Sequence, residues 1–280
     1  MDTHFTQPWP DMTIHQAEMF HTNTGILKTA EGFILVDPAF TQADFERIAA
    51  FTDPHPILEG FSTHAHYDHL FWSSLFGNET PRHCSEGTLG QVTHHCKEIV
   101  DEFLALENDP YNVNQCIYNK HLALLSCLSI GLHYLNDISV AVVAIPGNLQ
   151  GQTAFLFPDY QTLFAADTLS NTEPPSIEGS RQSLRDYLET LGTLGELIGQ
   201  AAWIVPGHGD PADRSEAKAR LEMDRRYLEA LQNLKVDDFS NGLEALASEF
   251  ILHIDEPKAN SSDSWQIHLQ NLQTAYIWLN

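Results

Sequence analysis

Residues 64–69 read His-Ala-His-Tyr-Asp-His, three imidazoles and one carboxylate in six positions. This hexapeptide restricts the chain more than any other segment. Imidazole nitrogen and carboxylate oxygen are the donors that Zn²⁺ and Fe²⁺ take. In extended backbone, His64, His66 and Asp68 point to one face, and a turn after Asp68 would bring His69 round to a second cation. The spacing therefore suits a dinuclear site. Chance alone places three such histidines in roughly one window in 6,500, and requiring the aspartate takes the expectation for the whole chain below about 1%. A surface histidine cluster is the bland alternative.

The 280 residues suffice for a large core, with 42% hydrophobic and 10% aromatic positions. Residues 24–37, TGILKTAEGFILVD, read as a hairpin with Glu31-Gly32 at the turn. Asp44 to Phe51 reads as a short amphipathic helix. Ser85 to Leu106 reads as a longer one, with Val92, Cys96, Ile99, Phe103 and Leu106 at steps of four and three. Residues 121–135, HLALLSCLSIGLHYL, are apolar without a clean period, and suggest a buried helix or a lid. Ile138 to Ile145, Thr153 to Phe157, Thr162 to Ala166 and Ala202 to Val205 read as strands. Helices are expected over about 184–198, 214–235, 241–253 and 263–279. In the last, Trp265, Leu269, Leu272, Tyr276 and Leu279 share one face, which suits packing within the chain and is also compatible with a homodimer. Interleaved strands and helices imply a mixed layered domain.

Charge excludes several partners. The chain carries 38 acidic and 14 basic residues, net −24. Such a surface repels phosphate backbones and anionic membranes, so no nucleic acid and no membrane is expected as a partner. The N-terminus, MDTHFTQPWPDMTIH, has neither the basic nor the apolar region of an export signal. Cys84, Cys96, Cys116 and Cys127 form no C-x-x-C pair, so reduced thiols and a cytoplasmic location are expected. There is no G-x-S-x-G elbow, P-loop or G-x-G-x-x-G.

The segment THAHYDH resembles the T-H-x-H-x-D-H signature of the metallo-β-lactamase superfamily. LVDP at 35–38, FAADT at 164–168 and PGHG at 206–209 resemble that family's flanking motifs in order and spacing, over roughly residues 15–210. The resemblance implies an α+β fold: a four-layer αββα sandwich over residues 1–210, with a helical extension over 211–280 packed on the same domain. It implies that His64 and His66 bind a first metal, that Asp68, His69 and His208 bind a second, and that Asp167 bridges them. Asp37 would stand behind the ligands and orient an imidazole by a hydrogen bond. Without the resemblance, Asp37 could simply open a turn before Pro38, and Asp167 could cap a helix or turn.

One motif departs from the family. Where a histidine usually follows Pro-Gly, this chain has Ile145-Pro146-Gly147-Asn148. An amide oxygen is a weaker ligand for zinc than imidazole. Three readings stay open: one metal in the second site alone, Asn148 as a weak or water-mediated ligand, or substitution by His133 or His95. The expectation is fewer than two tightly bound ions, zinc first, with iron or manganese as alternatives.

The implied chemistry is metal-assisted hydrolysis, in which Asp68 or Asp167 holds the attacking water and accepts its proton. The expected substrate is a small carbonyl compound (thioester, lactone or amide) with an apolar portion. The apolar segment 121–135 and the helices after 210 are candidates to wall its pocket. Tyr67, inside the hexapeptide, is read mainly as packing beside the site, with an oxyanion donor as the alternative. Iron-dependent oxidation on the same fold, or ligand binding without turnover, are the competing functions.

Overall fold

The computed structural model describes residues 4–105, 125–177, 179–250, 258 and 262–279. Thirteen strands among them form two sheets. The first sheet runs β1(Phe5–Trp9), β2(Met12–Gln16), β3(Asn23–Lys28), β4(Phe33–Val36), β5(Ile57–Phe61), β6(Arg82–Ser85), β7(Leu125–Leu128), in that spatial order. Its first four strands are antiparallel, and β4 through β7 are parallel. The second has the order β13(Ala212–Asp213), β12(Trp203–Val205), β11(Thr162–Phe164), β10(Thr153–Phe157), β9(Ile138–Ala144), β8(Gly131–Leu135). Its pairs are antiparallel except β11 with β12.

The helices are α1(Gln42–Thr52), α2(Tyr67–Leu70), α3(Glu86–Ala105), α4(Arg181–Ile198), α5(Arg214–Gln232), α6(Leu243–Phe250) and α7(Ser262–Leu279). Thr41 caps α1 by accepting from Asp44 N, and Asp213 caps α5 by accepting from Ser215 N and Glu216 N. Such caps satisfy amides that the first helical turn leaves without partners.

Alternation along the strands builds the layers. Ile34 and Val36 of β4, Phe61 of β5, Val140 and Val142 of β9, and Phe155 and Phe157 of β10 meet between the sheets. Their neighbours turn outward. Leu35 joins Phe45 and Ile48 of α1 on one side. Ala154 and Leu156 join Leu184, Leu191 and Leu194 of α4, Leu221 and Leu228 of α5, and Leu272 of α7 on the other. Helices thus cover both outer faces, and the result is an αββα sandwich with C-terminal helices sharing the second sheet's outer core.

Several readings of the sequence need correction. Residues 125–135 form neither a helix nor a lid. They are two strands, one at the end of each sheet, and the rest of that segment lies outside the described residues, as does Cys116. The missing helical period follows: Leu125 to Leu128 pairs with β6, and Gly131 to Leu135 forms a hairpin with β9. The hairpin β1–β2 and the short strands β6 and β13 carry no strong periodicity and escape a sequence pass. Of the α7 stripe, Trp265, Leu269 and Leu272 pack into the chain's own core, while Tyr276 lies against Phe239. None of the described helices is long and apolar enough to cross a membrane.

Phe155 is fully buried and meets the Phe61 ring at 5.4 Å across the sandwich. Phe155→Ala is expected to cost about 3–5 kcal/mol, read as a lowered midpoint in denaturant unfolding. A loss under about 1 kcal/mol would mean that the two sheets do not meet there.

Candidate metal centre

The site lies where loops at one end of both sheets converge. After β5 the chain bends through Thr63, His64 and Ala65 to His66, whose backbone is extended, and α2 begins at Tyr67. Asp68 and His69 therefore sit within a helical turn, and not at the end of an extended run as the spacing suggested. Asp167 follows β11 on a loop with two positive φ values, 48° at Ala166 and 59° at Leu169. His208 follows β12. Its neighbour Gly207 approaches so closely that a β-carbon would fall 2.1 Å from Asp167 Oδ1. Only glycine fits there.

Asp37, at the end of β4, organises the imidazoles. It is buried, has φ of 48°, and accepts from Thr63 N at 2.7 Å and Thr63 Oγ1 at 2.6 Å. Its Oδ2 is 3.1 Å from His69 Nδ1. A carboxylate facing Nδ1 places the proton on that nitrogen and leaves the Nε2 lone pair to face inward. The same logic fixes His64, whose Nδ1 lies 3.0 Å from a Thr63 hydroxyl already donating to Asp37. It fixes His208, whose Nδ1 donates to Phe20 O at 2.9 Å.

The inward atoms then crowd together. His69 Nε2 and His208 Nε2 are 3.2 Å apart. Asp68 Oδ2 is 3.2 Å from the first and 3.5 Å from the second. Asp167 Oδ1 lies at 3.3 and 3.4 Å from the same two nitrogens. His64 Nε2 is 3.1 Å from Asp167 Oδ2, and His66 Nδ1 is 2.7 Å from Asp68 Oδ1. Two groups could each hold a metal ion: His64 with His66 and Asp167, and Asp68 with His69 and His208. All six donors expected from the sequence are thus brought together. Facing lone pairs and carboxylate oxygens repel unless a cation stands between them. His64 Nε2 and Asp167 Oδ1 are buried without a hydrogen bond, so the donor set fits a bound cation.

The electrostatics point the same way. Burial opposes ionisation of Asp68, yet the imidazoles of His69 and His66 hold its carboxyl well below the usual range. Burial likewise opposes Asp167, which His64, His69 and His208 pull well below. Burial lowers His208, but Asp167 and Glu173 raise it to about 10. His69 stands well above its ordinary value, because Asp68 and Asp167 outweigh its burial. For His64 burial prevails over Asp167, and the value falls. Protons bound here stand in for a cation, and a metal must displace them.

Asn148 lines the cavity beside His64, His66 and Asp167. The preceding Gly147 has φ of 139°, and a β-carbon there would meet Tyr187 at 2.6 Å, so the Pro-Gly frame is sterically defined. His95 and His133 join neither group: His95 is exposed on α3, and His133 bonds to Ser129 O. Tyr67 packs edge-on against Phe40 and at a tilt against His66, and burial raises its phenol.

Above the donors opens a cavity of about 360 Å³. Phe20, Leu149, Leu169, Pro174, Pro175 and Ile267 supply apolar wall; Glu173, Tyr187, Asp224 and Gln266 supply polar groups. The helices after 210 contribute Asp224, Gln266 and Ile267, whereas no residue of 125–135 lines it. Thr22, whose hydroxyl donates to Asp68 Oδ2 at 3.0 Å, and Glu173 escape sequence reasoning because neither lies in a motif.

No protein-family model matches the sequence, and a search of curated proteins gave no match. Solved structures do match. A stereoselective inverting sec-alkylsulfatase from Pseudomonas sp. aligns over 97% of this chain at TM-score 0.66 and 13% identity. The chain spans 49% of that enzyme, about half its length. A β-lactamase domain protein from Burkholderia ambifaria aligns over 98% of this chain and 87% of its own, at TM-score 0.67 and 14% identity. The fold is that of the metallo-β-lactamases. A metallo-β-lactamase family protein from Thermus thermophilus aligns over 96% of this chain and 89% of its own, with TM-score 0.58 and 18% identity.

Asp37→Asn removes the charge that orients His69 and, through Thr63, His64. Metal affinity is expected to fall 10–100-fold, on the order found for such supporting groups, measured by competition with a chromophoric chelator. Unchanged affinity would show that these imidazoles are oriented by other means.

Proposed function

We propose that this chain is a metal-dependent hydrolase acting on a small carbonyl ester, with thioester, lactone and amide as its candidate bonds. The observation that carries this reading is the convergence of six donors from three separate loops on the floor of one mostly apolar cavity. His64, His66 and Asp167 would hold one cation, and Asp68, His69 and His208 the other. Zinc suits this nitrogen and oxygen set, with iron or manganese as alternatives. Such a cation lowers the pKa of water to about 7 and polarises a carbonyl oxygen.

The chain's own side chains supply the rest. Asp167 directs one oxygen toward His64 and the other toward His69 and His208, so it can accept a hydrogen bond from a water held between the two groups. Asp68 is kept in place by Thr22 and stays ionised beside its imidazoles. Either carboxylate can take the water's proton. Phe20, Leu149 and Leu169 shield the reacting group from bulk water and favour an apolar portion in the substrate.

The asymmetry at Asn148 supports unequal occupancy. The first group has two imidazoles, one of them on the half-exposed His66, and an amide where a third would stand. The second group is wholly buried. Elemental analysis of the untreated protein is expected to give fewer than two tightly held ions per chain, and two would contradict this. Asn148→His is expected to raise that number toward two, since imidazole binds zinc more tightly than an amide oxygen does.

Turnover of short-chain esters, thioesters and lactones should disappear on chelation and return with Zn²⁺. His208→Ala should lower kcat/KM by at least about 100-fold, by removing a donor of the better-built group. Turnover that survives exhaustive chelation would refute the hydrolase reading.

A further inference from the structure

The cavity holds one carboxylate that the metal chemistry does not use. Glu173 lies on the loop between β11 and α4 and lines the cavity together with Asp68, Asp167 and His208. It stands outside both donor groups. Among the described residues its side chain has no hydrogen bond or ion pair, although its backbone N–H donates to Ser170 Oγ at 3.1 Å. Asp224, the other lining carboxylate outside the donor groups, is already satisfied: Lys258 Nζ, itself buried, sits 2.6 Å away. No lysine or arginine lines the cavity among the described residues.

The position of Glu173 is fixed by its loop. Ser264 Oγ of α7 donates to Thr172 O at 2.6 Å. Asn271 donates to Pro175 O at 2.7 Å and accepts from Ile177 N at 2.9 Å. The loop is thus tied to the C-terminal helix on both sides of Glu173. Pro174 and Pro175 follow directly and stiffen it. The carboxylate is held over the cavity, next to an apolar wall that limits its hydration. A carboxylate so placed gains most from a cationic partner and penalises an anionic one. The attraction between Glu173 and a protonated His208 is lost once a metal displaces that proton.

We propose that Glu173 is a substrate-binding residue that selects a positively charged group, so that the preferred substrate is a small carbonyl ester or amide bearing an ammonium. This rests on the hydrolase reading of the neighbouring centre. The carbonyl lies over the donor groups and the ammonium against Glu173, within a cavity of about 360 Å³. Substrates with a sulfate or carboxylate at that position are disfavoured.

The test uses the metal-loaded protein as purified and three matched esters on one carbon chain: a trimethylammonium compound, its neutral tert-butyl isostere and a sulfonate. The corresponding methyl ketones, which cannot be hydrolysed, are titrated by calorimetry. The ammonium ketone is expected to bind about tenfold or more tightly than the neutral one, and the sulfonate more weakly than either. kcat/KM of the esters should follow the same order. In Glu173→Gln the ammonium-to-neutral ratio should fall toward one, and in Glu173→Lys the order should invert, with circular dichroism confirming that each variant folds. Equal binding of the ammonium and neutral ketones by the wild-type protein overturns the proposal, whatever the esters do. So does a preference that survives Glu173→Gln. A ketone preference without hydrolysis of any ester supports the role of Glu173 in binding and removes the hydrolase reading instead.

Discussion

The carboxylate of Asp37 is the contact on which the centre depends. It joins the end of β4 to the loop after β5 through Thr63, and reaches His69 in α2 directly. By occupying one ring nitrogen of His69, and through Thr63 one of His64, it decides which lone pairs face inward. Those lone pairs converge with Asp68 and Asp167 into two groups that could each hold a cation. The centre is preorganised by hydrogen bonds made away from it, so a cation meets donors already aligned.

That order is held against local strain. Asp37, Ala166 and Leu169 all take positive φ values near the centre, and a residue with a β-carbon enters that region at a cost of about 1 kcal/mol or more. The packing that holds them is the sandwich itself. β4 and β11 are interior strands of their sheets, and Gly207 N donates to Ala166 O at 2.6 Å, tying the loop after β12 to that after β11. Two stiff sheets fix the ends of the loops, and the loops have little room to relax.

The second half of the site comes from elsewhere in the chain. The C-terminal helices share a core with the second sheet and α4, and α7 grips the loop that carries Glu173. One wall of the cavity is therefore built by residues far in sequence from any metal donor. The loop after β11 joins the two parts, since it carries the donor Asp167 and the wall residues Leu169, Pro174 and Pro175.

The sequence by itself determined the donor types and much of the layering. His64 to His69 are close in the chain, and their spacing alone places several donors near one point. Asp167 was legible only through the resemblance of FAADT to a family motif, and His208 through PGHG, where a histidine stands between two glycines after a buried strand. Helix α4 was legible from its leucine period, and the β3–β4 hairpin from its turn. Only the tertiary structure decided that residues 125–135 are edge strands, since a short apolar run has the same composition in a helix or a sheet. It alone showed Thr22 beside Asp68 and Glu173 in the cavity lining, because neither residue lies in a motif. It alone placed Asn148 in the wall of the cavity above the donors, because the Pro-Gly turn before it packs on Tyr187, a residue far along the chain.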